Sequence, residues 1–173
     1  MSLKSKRAAI LVETNYQDLE VWYPYYRLKE EGTEVYFVGT GSSATYKGKF
    51  GYPLTVDKNA EGLKATDLDC IIIPGGWAPD QLRLYSSVLS LVKEMFAAGK
   101  IVAPICHGGW VPASAGILKG RTMTCYKAIK DDVINAGANY VDQEVCVDGN
   151  LISARKPDDL PAFCRAIIGA LSK

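Results

Sequence analysis

Cys106 and His107 stand side by side in "KIVAPICHGGW", Lys100 to Trp110, and His107 is the single histidine of the chain. An imidazole next to a thiol can take its proton, and the thiolate that results attacks electrophilic carbonyl carbon. The flanking residues suit that chemistry, because the apolar run Ile101 to Ile105 ends at Cys106 and Gly108 and Gly109 follow. A nucleophile on a tight strand-to-helix turn projects into a cleft, and small neighbours let the strained backbone fit. Such a turn puts Cys106 at a helix N-terminus, whose partial positive charge favours thiolate. Lowering a thiol pKa from roughly 8.5 to about 5.5 requires on the order of 4 kcal/mol, more than a helix end supplies. A hydrogen-bond donor or a cation must therefore also be near.

The other cysteines, Cys70, Cys125, Cys146 and Cys164, are widely spaced, with no Cys-x-x-Cys and one histidine to help them. They support neither a disulfide framework nor a zinc site, and no metal or cofactor is expected. Cys70 in "LDCIIIP" and Cys164 in "FCRAII" read as small core hydrophobes, as do Cys125 and Cys146.

The elements that must position Cys106 are legible as periodicity. "RAAILVE", "EVYFVG", "DCIIIPGG" and "KIVAPIC" are short apolar runs ended by turn residues, the pattern of strands buried on both faces. Between Asp80 and Gly99, Val88, Leu91, Val92, Met95 and Phe96 recur at helical spacing, with Gly99 where a C-terminal cap belongs. Leu160, Phe163, Ile167, Ile168 and Leu171 repeat the pattern. From Asp18 to Glu31, Leu19, Trp22, Tyr23 and Tyr26 share a helix face, and Pro24 is expected to interrupt or bend the hydrogen bonding. "HGGWVPASAGILKG" reads as an imperfect helix opening with glycines and closing at Gly120. "YKGKFGYPLTVD" and "EVCVDGNLISAR" read as antiparallel hairpins attached to the sheet. Strand and helix in alternation predict an α/β fold with a mostly parallel sheet and helices on both faces. In such a sheet ligands bind beyond the C-terminal strand ends, where Cys106 and the "PGGWAPD" loop both fall.

The 173 residues, 48 % hydrophobic, suffice for one domain spanning 1–173, with no repeat or linker. Twenty Lys and Arg against nineteen Asp and Glu, scattered along the chain, give no nucleic-acid or membrane signal. Small molecules or peptides are the expected partners. "MSLKSKRAAILVE" has too short an apolar run for a signal peptide and lacks a cleavage site, which predicts a cytoplasmic protein.

"DLEVWYPYYRLKEEGTEVYFVG", "IIIPGGWAPDQLRL", "VAPICHGGW", "ASAGILKGR" and "CYKAIKDDVINAGA", in this order over nearly the whole chain, resemble the ThiJ/PfpI superfamily and its PfpI-type branch of small cysteine hydrolases. The resemblance implies a flavodoxin-like three-layer sandwich related to the class I glutamine amidotransferase domain. It makes Cys106 the elbow nucleophile and His107 the adjoining base. Glu20 becomes the glutamate that reaches the sulfur, and a charged carboxylate there would oppose thiolate, so Glu20 must be protonated and share one proton with Cys106. Asp80 matches an acid contributed from a neighbouring subunit, although most relatives carry glutamate there, so a homo-oligomer, dimer or hexamer, is implied. The tyrosines of "WYPYY" would suit its interface. Tyr126 matches a pocket tyrosine. Backbone N–H groups after Cys106, at Gly108, or at Gly75 and Gly76 are the candidate oxyanion donors. Trp77 stands where relatives often carry arginine and Gly109 where they carry proline, implying a more apolar, less cationic pocket; Trp77 and Trp110 are candidate walls.

The activities so implied are hydrolysis of short peptides, conversion of methylglyoxal to lactate without added cofactor, and removal of early methylglyoxal or glyoxal adducts in a stress-protection role. A redox sensor or holdase chaperone using an oxidisable Cys106 is the competing reading. A glutaminase module fits worse, because its histidine and glutamate would follow the nucleophile and no histidine follows His107.

Overall fold

The computed structural model of the protein describes residues 3–173; Met1 and Ser2, where the "MSLKSKRAAILVE" run begins, lie outside them. Strand β1 (Arg7–Leu11) leads through helix α1 (Asp18–Glu30) to β2 (Glu34–Gly39). The short strands β3 (Thr45–Lys47), β4 (Pro53–Thr55) and β5 (Lys58–Asn59) precede β6 (Cys70–Ile73). Helices α2 (Ala78–Leu82) and α3 (Ser86–Ala97) then lead to β7 (Ile101–Pro104). Next come α4 (Trp110–Ser114), β8 (Thr122–Met123), α5 (Lys130–Asn135), β9 (Asn139–Tyr140), β10 (Val145–Asp148), β11 (Leu151–Ala154) and α6 (Leu160–Leu171).

Seven strands form one sheet in the order β10-β11-β7-β6-β1-β2-β5, parallel throughout except for β10. The continuous apolar runs are its centre, where β6, β7 and β11 are buried at every position and β1 from Ala8 onward. From β1 the chain moves outward to β2, whereas from β6 it moves the other way to β7. Right-handed crossovers in opposite directions put α1 and α3 on opposite faces, giving the three-layer α/β architecture that alternation predicts. Helix α6 packs beside α1, and α3 beside α4. The direction reverses between β1 and β6, and their C-terminal loops form the crevice that holds the site.

Several local expectations are revised. "YKGKFGYPLTVD" does form a hairpin, but β3 and β4 make a separate two-stranded sheet, because β5 occupies the free edge of β2. "EVCVDGNLISAR" lies within the main sheet, its second strand, β11, pairing parallel with β7. The helix after Cys106 stops at Ser114 rather than Gly120, because Gly116 takes the left-handed conformation at φ +73° and turns the chain. The Asp80–Gly99 segment is two helices, broken at residues 83–85, and Gly99 caps the second at φ +71°. Pro24 leaves α1 continuous. The buried face of α1 is Glu20, Val21, Pro24 and Leu28, while Leu19, Tyr23 and Tyr26 are exposed.

One ion pair fixes the last loop before α6. Asp159, buried, accepts from the Arg155 backbone N–H at 3.1 Å and from its guanidinium at 2.9 and 3.1 Å, and Arg155 also reaches Asp142 at 2.8 Å. The pair ties the end of β11 to the start of α6 and sets the path through Pro157. Removing the cation strands a buried carboxylate, so Arg155→Met is expected to cost roughly 2 kcal/mol, discounted because Arg155 is partly solvated. A urea titration should show a lower midpoint with an unchanged slope.

Candidate active site

Cys106 follows β7 in a left-handed backbone conformation, φ +60°, which it shares among the described non-glycine residues only with Asn15. For a cysteine that conformation is strained, and the surroundings hold it. Gly108 N–H donates to the Ile105 carbonyl at 2.8 Å, and its Cα lies so close to the Ile73 carbonyl that a methyl group has no room. A single 3₁₀ turn from Cys106 to Gly109 then leads into α4. The strand-to-turn elbow predicted from "ICHGG" is therefore present, with only a short helix behind it.

Glu20 enters from α1, fully buried, beneath the thiol. Its Oε2 accepts from Gly75 N–H at 2.6 Å, while Oε1 is buried with no hydrogen-bond partner among the described residues, and the Cys106 thiol bears on the carboxyl group. Gly75 has to be glycine here, since a Cβ would sit 2.8 Å from Cys106 Cβ and 2.9 Å from Glu20 Oε2. Burial raises the Glu20 pKa from 4.5 to about 7, against the opposing pull of the Gly75 N–H, Cys106 and Lys49. Burial likewise pushes the Cys106 thiol up, and a charged Glu20 would push it further. A protonated Glu20 removes that second cause and becomes a donor to the sulfur, so the pair holds one proton between two acids.

Backbone accounting identifies the donors aimed at the sulfur. Gly75 N–H is taken by Glu20, Trp77 N–H by the Asn15 carbonyl and Gly108 N–H by Ile105. The N–H groups of Gly76 and His107 are left, and both point at Cys106 Sγ. Gly76 achieves this at φ +77°, with the Asn15 carbonyl and Gln17 N–H each 2.5 Å from where a Cβ would stand. Gly75 and Gly108, expected among the substrate-binding residues, instead lie beneath the pocket with their donors used.

His107 Nδ1 is 3.3 Å from Cys106 Sγ. Its ring lies between Tyr126, stacked at 5.0 Å, and Trp110, edge-on at 5.2 Å. Burial, with the Lys49 charge second, lowers its pKa, so the ring is neutral near pH 7 and able to accept a proton. Among the described residues no acid of the same chain pairs with it. Asp80 is exposed in the first turn of α2, beside Gln81 at 3.4 Å, and does not line the pocket.

The cavity over the thiol has a volume of about 200 Å³ and is lined by Gln17, Glu20, Lys49, Gly76, Trp77, Cys106, His107, Tyr126 and Pro157. Trp77 forms an exposed rim, 64 % accessible. Trp110 is not a wall; its Nε1–H donates to Asp132 at 2.7 Å. Sequence reasoning missed Gln17, Lys49 and Pro157. Gln17 carries a local signal as the N-cap of α1, its Oε1 accepting Leu19 N–H at 2.7 Å. Lys49 and Pro157 carry none, since the Lys49 hairpin and the Arg155–Asp159 clamp deliver them. The two N–H donors favour thiolate as the sequence argument required, but they work against burial and a charged Glu20, which push the Cys106 thiol up to about 12. Among the described residues no group of metal-ligating side chains is present, and no helix is long and apolar enough to cross a membrane.

Comparisons with known proteins agree with this fold. The model of the DJ-1/PfpI family matches residues 6–170. Deglycase PfpI of Pyrococcus furiosus is 44 % identical over 161 residues, covering 93 % of this chain and 96 % of that one. Protein/nucleic acid deglycase 2 of Escherichia coli is 37 % identical over 169 residues, covering 96 % and 98 %. Among solved structures, a two-domain protein with DJ-1/ThiJ/PfpI-like and ferritin-like domains from Anabaena variabilis superposes with a TM-score of 0.94 at 39 % identity. The match covers 96 % of this chain and 48 % of that longer one.

The raised pKa of Glu20 has a consequence for stability. The folded state holds this proton more tightly than the unfolded chain, so the fold loses stability as pH rises from 4.5 to about 7. Glu20→Gln keeps an acceptor for Gly75 N–H and cannot ionise. At about pH 8 it should be more stable than wild type by about 3 kcal/mol, with the gain vanishing below about pH 4.5. Thermal melts across that range test this.

Proposed function

The chain belongs to the DJ-1/PfpI family, and from that premise we propose that it is a cysteine-dependent hydrolase acting on small reactive carbonyl compounds and their early adducts, in a stress-protection role. The observation that carries the reading is the strained Cys106, with a neutral imidazole 3.3 Å away, two free backbone N–H groups at its sulfur and a buried acid below. The names of its deglycase relatives support the same chemistry. The cavity of about 200 Å³ favours small carbonyls, or one modified side chain, over an extended peptide, because it is smaller than a typical drug-sized pocket of about 300 Å³ or more. Short-peptide hydrolysis is the secondary activity of the same thiol.

For methylglyoxal the Cys106 thiolate adds to the aldehyde carbon, and the C=O electron pair moves to oxygen beside the Gly76 and His107 N–H donors. Protonation of that oxygen gives a hemithioacetal. His107 removes the proton from the former aldehyde carbon, forming an enediol, and a proton returned to the neighbouring carbon leaves a lactoyl thioester. Water attacks the thioester carbonyl, the C–S bond breaks, and lactate and the free thiol result. The sum is methylglyoxal plus water giving lactate, with no external oxidant or reductant. Glu20, holding the shared proton, re-protonates or releases the sulfur at each end of the cycle.

The acid that would orient His107 is Asp80 from a neighbouring subunit in a homo-oligomer, a dimer or a hexamer. The absence of an acidic partner for His107 within the described residues supports that, as does the outward-facing Leu19, Tyr23 and Tyr26 of α1. The protein is read as cytoplasmic.

Lactate formation from methylglyoxal by the purified protein tests the reading. Cys106→Ser should abolish it, and Glu20→Gln should reduce it by about 10²-fold or more while leaving Cys106 open to alkylation. Full activity in Cys106→Ser would refute the mechanism.

A further inference from the structure

Of the residues lining the pocket, Lys49 and Gln17 have no role in the chemistry above. Lys49 is the one lysine or arginine among them. Its backbone N–H donates to the Tyr16 carbonyl at 2.9 Å, which anchors the hairpin over the site. Among the described residues its ammonium pairs with no carboxylate and rests near the Phe50 ring at 5.0 Å. Gln17 is 93 % buried by its 7 % accessibility, and its Oε1 is committed to Leu19 N–H. That leaves its Nε2, with no partner among the described residues, as a donor group at the pocket wall. The only acid in the lining is Glu20, whose pKa burial lifts to about 7, so that below that pH it holds its proton and adds no negative charge.

We propose that the pocket is anion-selective, with the Lys49 ammonium and the Gln17 amide receiving a carboxylate carried by the substrate while Cys106 attacks its carbonyl. The preferred substrates are then carbonyl adducts of molecules with a free carboxylate, such as free amino acids or thiol acids, over neutral ones. Bringing a carboxylate beside a thiolate is repulsive, and the Lys49 charge offsets it. The stated substrate preference rests on the carbonyl reading above; the anion selectivity of the pocket does not.

Two thiol alkylating agents separate these. Iodoacetate and iodoacetamide share the reacting carbon and the leaving iodide, and differ in charge, so the ratio of their rates at one thiolate cancels its protonation and reads the local field. Cys106 is the one cysteine lining the pocket, and mass analysis against Cys106→Ser confines the measurement to it. The iodoacetate-to-iodoacetamide ratio should exceed that of free cysteine in the same buffer by about two- to fivefold at low salt. It should fall to the free-cysteine value in Lys49→Met, survive in Lys49→Arg, and shrink in about 0.5 M salt. A ratio no higher than that of free cysteine, or one unmoved by Lys49→Met, overturns the proposal. In turnover, the methylglyoxal adduct of N-acetylcysteine should have a lower KM than that of N-acetylcysteine amide, and Lys49→Met should erase the difference. If neither adduct turns over, the carbonyl reading fails, and the alkylation ratio still decides the anion site.

Discussion

Placing a carboxyl group out of water beneath a thiol constrains much of the rest of the site. Glu20 is fully buried, bonded through one oxygen to Gly75 N–H, with the other oxygen unpartnered among the described residues and the Cys106 thiol close enough to act on its ionisation. An ionised carboxylate in that position would be costly, so the group keeps its proton well above the usual range. The arrangement fixes the rotation of α1: with Glu20 inward, Pro24 and Leu28 follow on the same face, and Leu19, Tyr23 and Tyr26 are turned to the outside. It also requires Gly75, because any side chain there would separate the acid from the sulfur.

The same burial creates a tension at the thiol. Desolvation works against thiolate, and the short α4 gives little helix-end compensation. What favours thiolate is local: two backbone N–H groups that the loops leave unpaired, and a proton on Glu20. The strain at Cys106 is part of that arrangement, since the left-handed turn aims the sulfur and leaves the His107 N–H free beside it. Three loops meet there, after β1, β6 and β7, and each contributes a group that the other two cannot.

The Arg155–Asp159 clamp and the Lys49 hairpin act at the periphery of that centre. One positions Pro157 at the pocket wall, and the other brings a cation over the thiol from a two-stranded sheet outside the main one. Trp77 leaves the rim uncharged, so the cationic character of the pocket rests on Lys49.

The amino-acid sequence by itself determined the α/β class, the four apolar runs at the centre of the sheet, and the placing of Cys106, His107 and the "PGGW" loop at strand ends. Those features follow from local periodicity and from turn residues, which act over a few positions. The lengths of the elements around Cys106 and Asp80 were less legible, because Gly116 and the break at residues 83–85 end helices that hydrophobic spacing alone would continue. Glu20 was assignable only through family resemblance, since nothing in "DLEVWYP" distinguishes a buried acid from a solvated one. Tertiary structure alone decided that Gly75 and Gly108 spend their N–H groups beneath the pocket while Gly76 and His107 keep theirs, and that Gln17, Lys49 and Pro157 meet over the thiol. The physical reason is that burial, hydrogen-bond accounting and charge are properties of groups brought together from distant parts of the chain, and periodicity carries no record of those meetings.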